Sequence, residues 1–283
     1  MKVVFLGSST YCLPVLEALK KNLVLVVTRN DKPVGRKKIL TPSPVKLWAQ
    51  QHNLPVCENI QVLTNQLTKL SPDLGLVADF GQIIPEEIFN KPKLKTFNIH
   101  FSKLPDLRGA SPIQATLLRG DTTAWITIFQ IEKTLDTGPI LWQKSYPILS
   151  TETASDLYIR LFTEVAKELP EIINLLTANP ALPAGRRCLL TAQSGTPTFC
   201  KKLTKDDGFV EWKVLQNPET CNLKPETLFN RYRAYFPWPG IWTLRQAQGK
   251  LQRMKILKCH LGKDKLVLDQ IQFEGQKPQS FLN

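Results

Sequence analysis

The 283-residue chain has only three histidines (His52, His100, His260), far apart, and its six cysteines (Cys12, Cys57, Cys188, Cys200, Cys221, Cys259) show no C-x-x-C spacing. Neither a zinc site nor a disulfide framework has the spacing it needs, so no metal is expected, and the thiols read as ordinary ones in a reducing compartment. No apolar run approaches the roughly 20 residues that span a bilayer, which argues against a membrane partner. The G-x-G-x-x-G of a dinucleotide site is missing; Gly7-Ser8-Ser9-Thr10 follows the first apolar run instead. Nicotinamide-dependent chemistry is therefore disfavoured, and that turn reads as a tight turn with a helix N-cap. There is no internal repeat and no low-complexity tract. Because Met1 to Gly7 runs directly into an apparent core strand, no leader is expected and the cytoplasm is the expected location.

What is present is a basic protein of ordinary hydrophobicity, long enough for two domains. The net charge is +13. Residues 200–283 hold 15 Lys or Arg against 8 Asp or Glu, whereas the first 199 hold 22 against 16. The carboxyl-terminal part thus has more than twice the charge density of the rest. A polyanion-binding appendage has this asymmetry, since neutralising phosphates releases condensed counterions; a solvated basic surface is the plainer alternative.

Lys2–Leu6 and Leu23–Thr28 are short apolar runs that suit strands buried on both faces of a parallel sheet. Between them Leu13, Leu16 and Leu19 fit a crossover helix over Pro14–Lys21. Further elements are a helix at Pro44–Gln51, a strand at Leu74–Asp79, a helix at Pro112–Arg119 ended by Gly120, strands at Ile126–Ile131 and Ile140–Ile148, and a long helix at Thr153–Leu176 containing Pro170. Ala178 to Gly185 has linker composition. Beyond it come the β-type runs Met254–Cys259, Lys265–Leu268 and Ile271–Phe273 and a helix-like Lys224–Tyr235, compatible with a small β-barrel. The expected organisation is a Rossmann-like α/β domain at 1–178, a linker at 179–203 and a β domain at 204–283.

Asn98-Ile-His100-Phe-Ser102-Lys-Leu-Pro105, then Arg108-Gly-Ala-Ser-Pro112 and Leu135-Asp136-Thr137-Gly138, carry the chemistry. Asn98 and His100, two residues apart on a strand, share a face at its carboxyl end, where α/β sheets put their ligand crevices. An amide and an imidazole there are donors suited to the oxyanion of a tetrahedral intermediate in acyl transfer to an amine. Asp136 is suited to orienting the imidazole, favouring its protonated form and relaying the proton of the amine. Gly138 allows a sharp turn at that approach. Taken singly, Asn98 closing a strand, His100 as a satisfied core histidine and Asp136 capping a turn are the plainer readings.

Together with Gly7 to Leu16, Gly35 to Lys46, Phe80-Gly-Gln-Ile-Ile-Pro85, Asp206 to Trp212 and Arg233 to Gly240, these segments make the chain resemble the folate-dependent formyltransferases along nearly its whole length. The resemblance implies a Rossmann-like formyltransferase domain with a mostly parallel sheet, plus an OB-like carboxyl-terminal barrel. It implies 10-formyltetrahydrofolate as one-carbon donor, held at Phe80, Gly81, Gln82 and Ile83 and at Ser102, Lys103, Leu104 and Pro105. Asn98, His100 and Asp136 would be catalytic. Arg-Gly-Ala-x-Pro-Ile-Gln, the basic Gly35–Lys46 loop, with Arg36, Lys37, Lys38 and Lys46, and Pro-Trp-Pro-Gly point to the branch that formylates initiator methionyl-tRNA, with Arg36, Lys37, Lys38 and Arg108 as substrate contacts. A sugar-nucleotide N-formyltransferase and a non-catalytic RNA-binding relic are the alternatives. Lys103 in place of Leu, Lys37 in place of Gly, Ala124-Trp125 in place of Thr-Gly and Ser111 in place of Ala depart from the family pattern, and Lys103 bears most directly on folate affinity.

Overall fold

A computed structural model of the chain describes residues 1–35, 37–177, 190–218, 222–247, 250–262 and 265–281. The chain forms two compact units: residues 1–108, 125–145 and 158–199 make one, and residues 109–124, 146–157 and 200–283 the other. The second unit therefore recruits two stretches from the middle of the chain. Arg36 and residues 178–189, which include the Ala178–Gly185 linker composition, lie outside the described residues.

The first unit opens with β1 (Val3–Gly7), α1 (Leu13–Leu19) and β2 (Leu23–Val27), the expected βαβ order. The basic loop is a small hairpin of β3 (Lys32–Val34) and β4 (Ile39–Thr41), with Gly35 in the left-handed region at its turn. Its short strands and prolines hide it from any periodicity. Next come α2 (Pro44–Gln51), β5 (Val56–Cys57), α3 (Ile60–Leu70), β6 (Leu74–Ala78), α4 (Glu86–Phe89) and β7 (Thr96–His100). After β8 (Arg108–Gly109) comes α5 (Pro112–Arg119), which belongs to the second unit, and then β9 (Thr123–Gln130), β10 (Ile140–Pro147) and α6 (Ala154–Thr177), which lie mostly in the first. Pro170 lies inside α6.

Seven strands form one sheet in the order β10-β9-β7-β6-β1-β2-β5. Pairing is parallel from β7 through β6, β1 and β2 to β5, and β9 joins antiparallel to β7. Every residue of β1 and β6 is buried, as continuous apolar runs require, and each such Val or Leu contributes about 1.5–3 kcal/mol. On one face Leu63 and Leu67 of α3 pack with Val4, Leu6, Leu25, Val27 and Val77. Elsewhere in the unit Phe162 of α6 meets Phe101 edge-on at 4.6 Å, and Tyr158 stacks on Tyr11 at 5.1 Å.

The chain goes from β1 to β2 on one side and returns to pair β6 on the other, so the strand order reverses between β1 and β6. A doubly wound sheet opens its ligand crevice at the carboxyl ends of such strands. There the Ser8 N–H donates to Asp79 O at 3.1 Å. A Cβ on Gly7 would lie 2.6 Å from Ala78 O, so no larger residue fits.

The second unit contains α7 (Trp212–Gln216) and α8 (Pro225–Tyr235). β11 (Phe199–Cys200) is divided between the units. β12 (Ile241–Ala247), β13 (Lys250–Leu261), β14 (Leu266–Phe273) and β15 (Gln279–Ser280) form an antiparallel sheet in chain order. The runs expected as separate strands at Lys265–Leu268 and Ile271–Phe273 are one strand. The register shifts around Lys258, opposite Gln270, and this bulge carries the polar Asp269 and Gln270 without ending the ladder. Arg231 of α8 braces the Asp206 to Trp212 segment: its Nη2 donates to Asp207 O at 2.7 Å and Phe209 O at 3.0 Å. A Cβ on Gly208 would sit 2.0 Å from Gly240 O.

Candidate active site

β7 carries Asn98 and His100 to the carboxyl end of the sheet, in register with Phe129 and Thr127 of β9. Asn98 is partly exposed and His100 buried. The His100 ring meets Phe129 edge-on at 6.3 Å. Its Nε2 lies 3.0 Å from Leu107 O. A carbonyl oxygen only accepts, so Nε2 carries the proton, and Nδ1 is the nitrogen turned toward Asp136. The Nδ1 to Asp136 Oδ2 distance is 3.9 Å, with side chains 6% and 8% exposed. That separation is an ion-pair distance, too long for a hydrogen bond. Asp136 thus acts on the ring through its charge in a water-poor setting, where a unit charge interacts far more strongly than in bulk solvent. Burial pushes the His100 pKa below the usual imidazole value, while the Asp136 charge and the Leu107 carbonyl work the other way.

Backbone conformation holds these groups. Asp136 and Leu107 both occupy the left-handed region, at φ +52° and +54°, a costly conformation for residues with a Cβ. Gly138 is required for a different reason from the one its sequence position suggested: a Cβ there would lie 1.8 Å from Gln130 O. The glycine permits close approach of two backbones, and the sharp turn falls on Asp136.

The two loops assigned to the one-carbon donor flank this centre in contrasting ways. Gly81, Gln82 and Ile83 are exposed, Gly81 at φ +70° and Ile83 at 92% exposure, while Phe80 is buried in the core. In the other loop Ser102 and Leu104 are buried around a cis Leu104–Pro105 bond, and Ser102 Oγ donates to Asp106 O. Gln143 Nε2 donates to Thr127 Oγ1 at 2.7 Å, and Thr127 in turn to Ser102 O. Lys103 is exposed, its ammonium 4.7 Å from the centre of the Trp125 ring. These are two of the positions that depart from the family pattern, and here they contact each other.

The remaining predicted contacts are dispersed. Arg36 lies outside the described residues; Lys37 and Lys38 are exposed at the turn of the β3–β4 hairpin. Lys46, which composition grouped with them, is held 2.8 Å from both Asp31 and Glu58, and these two carboxylates push its pKa up. Arg108 Nη2 donates to Gln193 Oε1 at 2.7 Å. Sequence reasoning missed Leu107, whose contribution is a carbonyl, and Gln193 and Thr198, which stand in an aperiodic stretch read as linker. Thr198 accepts from Arg108 N through its carbonyl at 2.9 Å and from Leu107 N through its hydroxyl at 2.9 Å.

Residues 1–173 match the formyl transferase family model. The chain is 35% identical over 251 residues to a methionyl-tRNA formyltransferase of Geobacillus sp. (strain WCH70), covering 86% of this chain and 74% of that protein. It belongs to the methionyl-tRNA formyltransferase family. In fold it is similar to the methionyl-tRNA formyltransferase from Clostridium thermocellum, with a TM-score of 0.66 at 16% identity over 96% of this chain and 98% of that one. An N-formyltransferase from Helicobacter canadensis, described in complex with folinic acid and dTDP-3-aminofucose, has a TM-score of 0.63 at 19% identity over 93% and 89% of the two chains. The formyltransferase family match spans β1 to most of α6 and contains Asn98, His100 and Asp136.

Proposed function

We propose that the protein transfers the formyl group of 10-formyltetrahydrofolate to the α-amino group of initiator methionyl-tRNA. The observation that carries this reading is the pairing of His100 with Asp136 beside Asn98, in a chain of this family. Asn98, which has no side-chain hydrogen bond to a described residue, would donate its amide N–H to the carbonyl oxygen as that oxygen becomes negative. His100 offers a second N–H only as imidazolium, and the Asp136 carboxylate favours that form. As the amine nitrogen bonds to the formyl carbon, it loses a proton to the Asp136 carboxylate, and the folate nitrogen regains one as its bond to that carbon breaks. No enzyme-bound acyl group is needed.

The folate would lie against backbone groups of Phe80, Gly81, Gln82 and Ile83 and of Ser102, Lys103, Leu104 and Pro105. The first loop is open, and Gly81 presents bare backbone; these features fit a flat heterocycle, and the Helicobacter canadensis enzyme is described with folinic acid. The tRNA would be met by Arg36, by Lys37 and Lys38 on the hairpin, by Arg108 at the site, and by the basic residues of 204–283. On this reading residues 1–178 carry catalysis with the support of Gln193 and Thr198, and 204–283 hold tRNA, in the cytoplasm. No described helix is long and apolar enough to cross a membrane.

The test is incubation with 10-formyltetrahydrofolate and methionyl-tRNA, followed by analysis for formylmethionine. An amino-sugar nucleotide serves as the competing acceptor. Formylation of the sugar alone would overturn the reading.

A further inference from the structure

We propose that Gln193 is a positioning residue of this site, a side-chain clamp that joins Arg108 to the Asp136 turn and holds Asp136 against His100. The inference rests on the formyl-transfer reading and deepens it. Gln193 Nε2 donates to Asp136 O at 2.9 Å and to Gly138 O at 2.8 Å, while its Oε1 accepts from Arg108 Nη2 at 2.7 Å. All three bonds belong to one part-buried amide. It bridges groups 55 to 85 residues away in the chain.

The geometry explains why an amide stands here. Asp136 and Gly138 present two carbonyl oxygens, and only a group with two N–H donors satisfies both. Arg108 presents N–H donors, and only an acceptor meets it. A glutamine side chain offers both from one plane; lysine, glutamate and arginine each fail one half. The clamped turn contains Asp136 at φ +52°, a conformation that persists only where its surroundings over-determine it. On its far side Gly138 is pressed against Gln130 O. The neighbouring Thr191 also ties in, pairing with Ile140 through both backbone bonds at 2.8 Å. Gln193 thereby fixes the distance from Asp136 to His100 and aligns Arg108 with the groups that handle the amine proton.

Gln193→Ala should lower kcat for methionyl-tRNA formylation by about 100-fold, the loss a 1 Å misplacement of a reacting group produces. The KM for 10-formyltetrahydrofolate and the thermal midpoint should stay unchanged. Gln193→Glu should not rescue, because its carboxylate keeps Arg108 but sets oxygen against two carbonyl oxygens. In an Asp136→Ala background, Gln193→Ala should cost nothing further, since residues acting through one another are not additive. Full additivity in that cycle, a wild-type kcat in Gln193→Ala, or a kcat loss matched by a lowered thermal midpoint would overturn the proposal. Hydrogen exchange of the 132–140 peptide in full-length protein decides the clamp without any substrate. Faster exchange in Gln193→Ala supports it, and unchanged exchange overturns it. A wild-type protein that formylates no methionyl-tRNA would sink the assigned reaction instead, leaving the exchange result to stand.

Discussion

The loop from Phe101 to Arg108 and the hairpin from Lys32 to Thr41 are both assigned to substrate, yet they are built in opposite ways. In the first, Ser102 and Leu104 are buried, and Thr127, Gln143 and Thr198 hold its backbone by hydrogen bonds. In the second, two three-residue strands expose Val34, Ile39 and Leu40 together with Lys32, Lys37 and Lys38. Atoms that stabilise a developing charge must be in place before the reaction begins, because reorganisation during it would forfeit the gain. A surface that meets a large polyanion needs reach, charge and apolar contact, and little prior order.

The sharpest test of this contrast lies on the ordered side. Asn98→Ala should reduce kcat about 100- to 1,000-fold, the usual cost of losing one oxyanion donor, with the KM for folate held. A variant with near-normal turnover would remove Asn98 from the mechanism. His100→Ala and Asp136→Ala should likewise lose orders of magnitude in turnover while remaining folded.

Backbone closeness comes next. Gly138→Ala puts a Cβ 1.8 Å from Gln130 O, a clash relieved only by moving the Asp136 turn. It should cost about 1–3 kcal/mol of stability, in the range of other overpacking changes, and abolish most activity. Denaturant unfolding with parallel formylation assays checks both, and an active, stable Gly138→Ala variant would show that the turn has slack.

On the open side, the double variant Lys37→Ala with Lys38→Ala should lower kcat/KM for methionyl-tRNA roughly tenfold at low salt. It should also flatten the salt dependence by about two counterions. Folate affinity should not change. An unaltered salt slope would take the hairpin out of tRNA recognition.

The smallest effect is expected at Lys103, which belongs to the ordered loop but is itself exposed over Trp125. An exposed cation–aromatic contact is worth about 0.5–1 kcal/mol. Lys103→Leu should therefore remain active and shift the folate Kd only a few-fold, more than it shifts tRNA affinity. Isothermal titration with each ligand separates the two, and an unchanged folate Kd would leave Lys103 as a solvent-facing substitution.

Elements set by local pattern were legible in the chain before any contact was known. Helices α2 and α5 start at prolines and end where the sequence says, because an N-terminal Pro and a following Gly120 act within a few residues. The alternation of a strand likewise sufficed to put Asn98 and His100 on one face at the carboxyl end of β7. Some elements were missed: α3, although Ile60, Leu63, Leu67 and Leu70 stand at helical spacing behind the Asn59 cap, the β3–β4 hairpin, whose strands are only three residues long, and β12. Both stretches that join the second unit, 109–124 and 146–157, were assigned by chain order to the first domain.

The residue types of the proposed reacting centre, an amide, an imidazole and a carboxylate, are legible along the chain, because that choice is written in side-chain chemistry and in a two-residue spacing. How they are held is visible in the folded chain alone. The Leu107 carbonyl assigns the His100 tautomer, Asp136 faces the ring at ion-pair distance, and Gln193 reaches the Asp136 turn from 57 residues away. Hydrogen bonds from backbone groups carry no residue identity, and contacts across such separations leave no periodicity, so no reading along the chain could have supplied them.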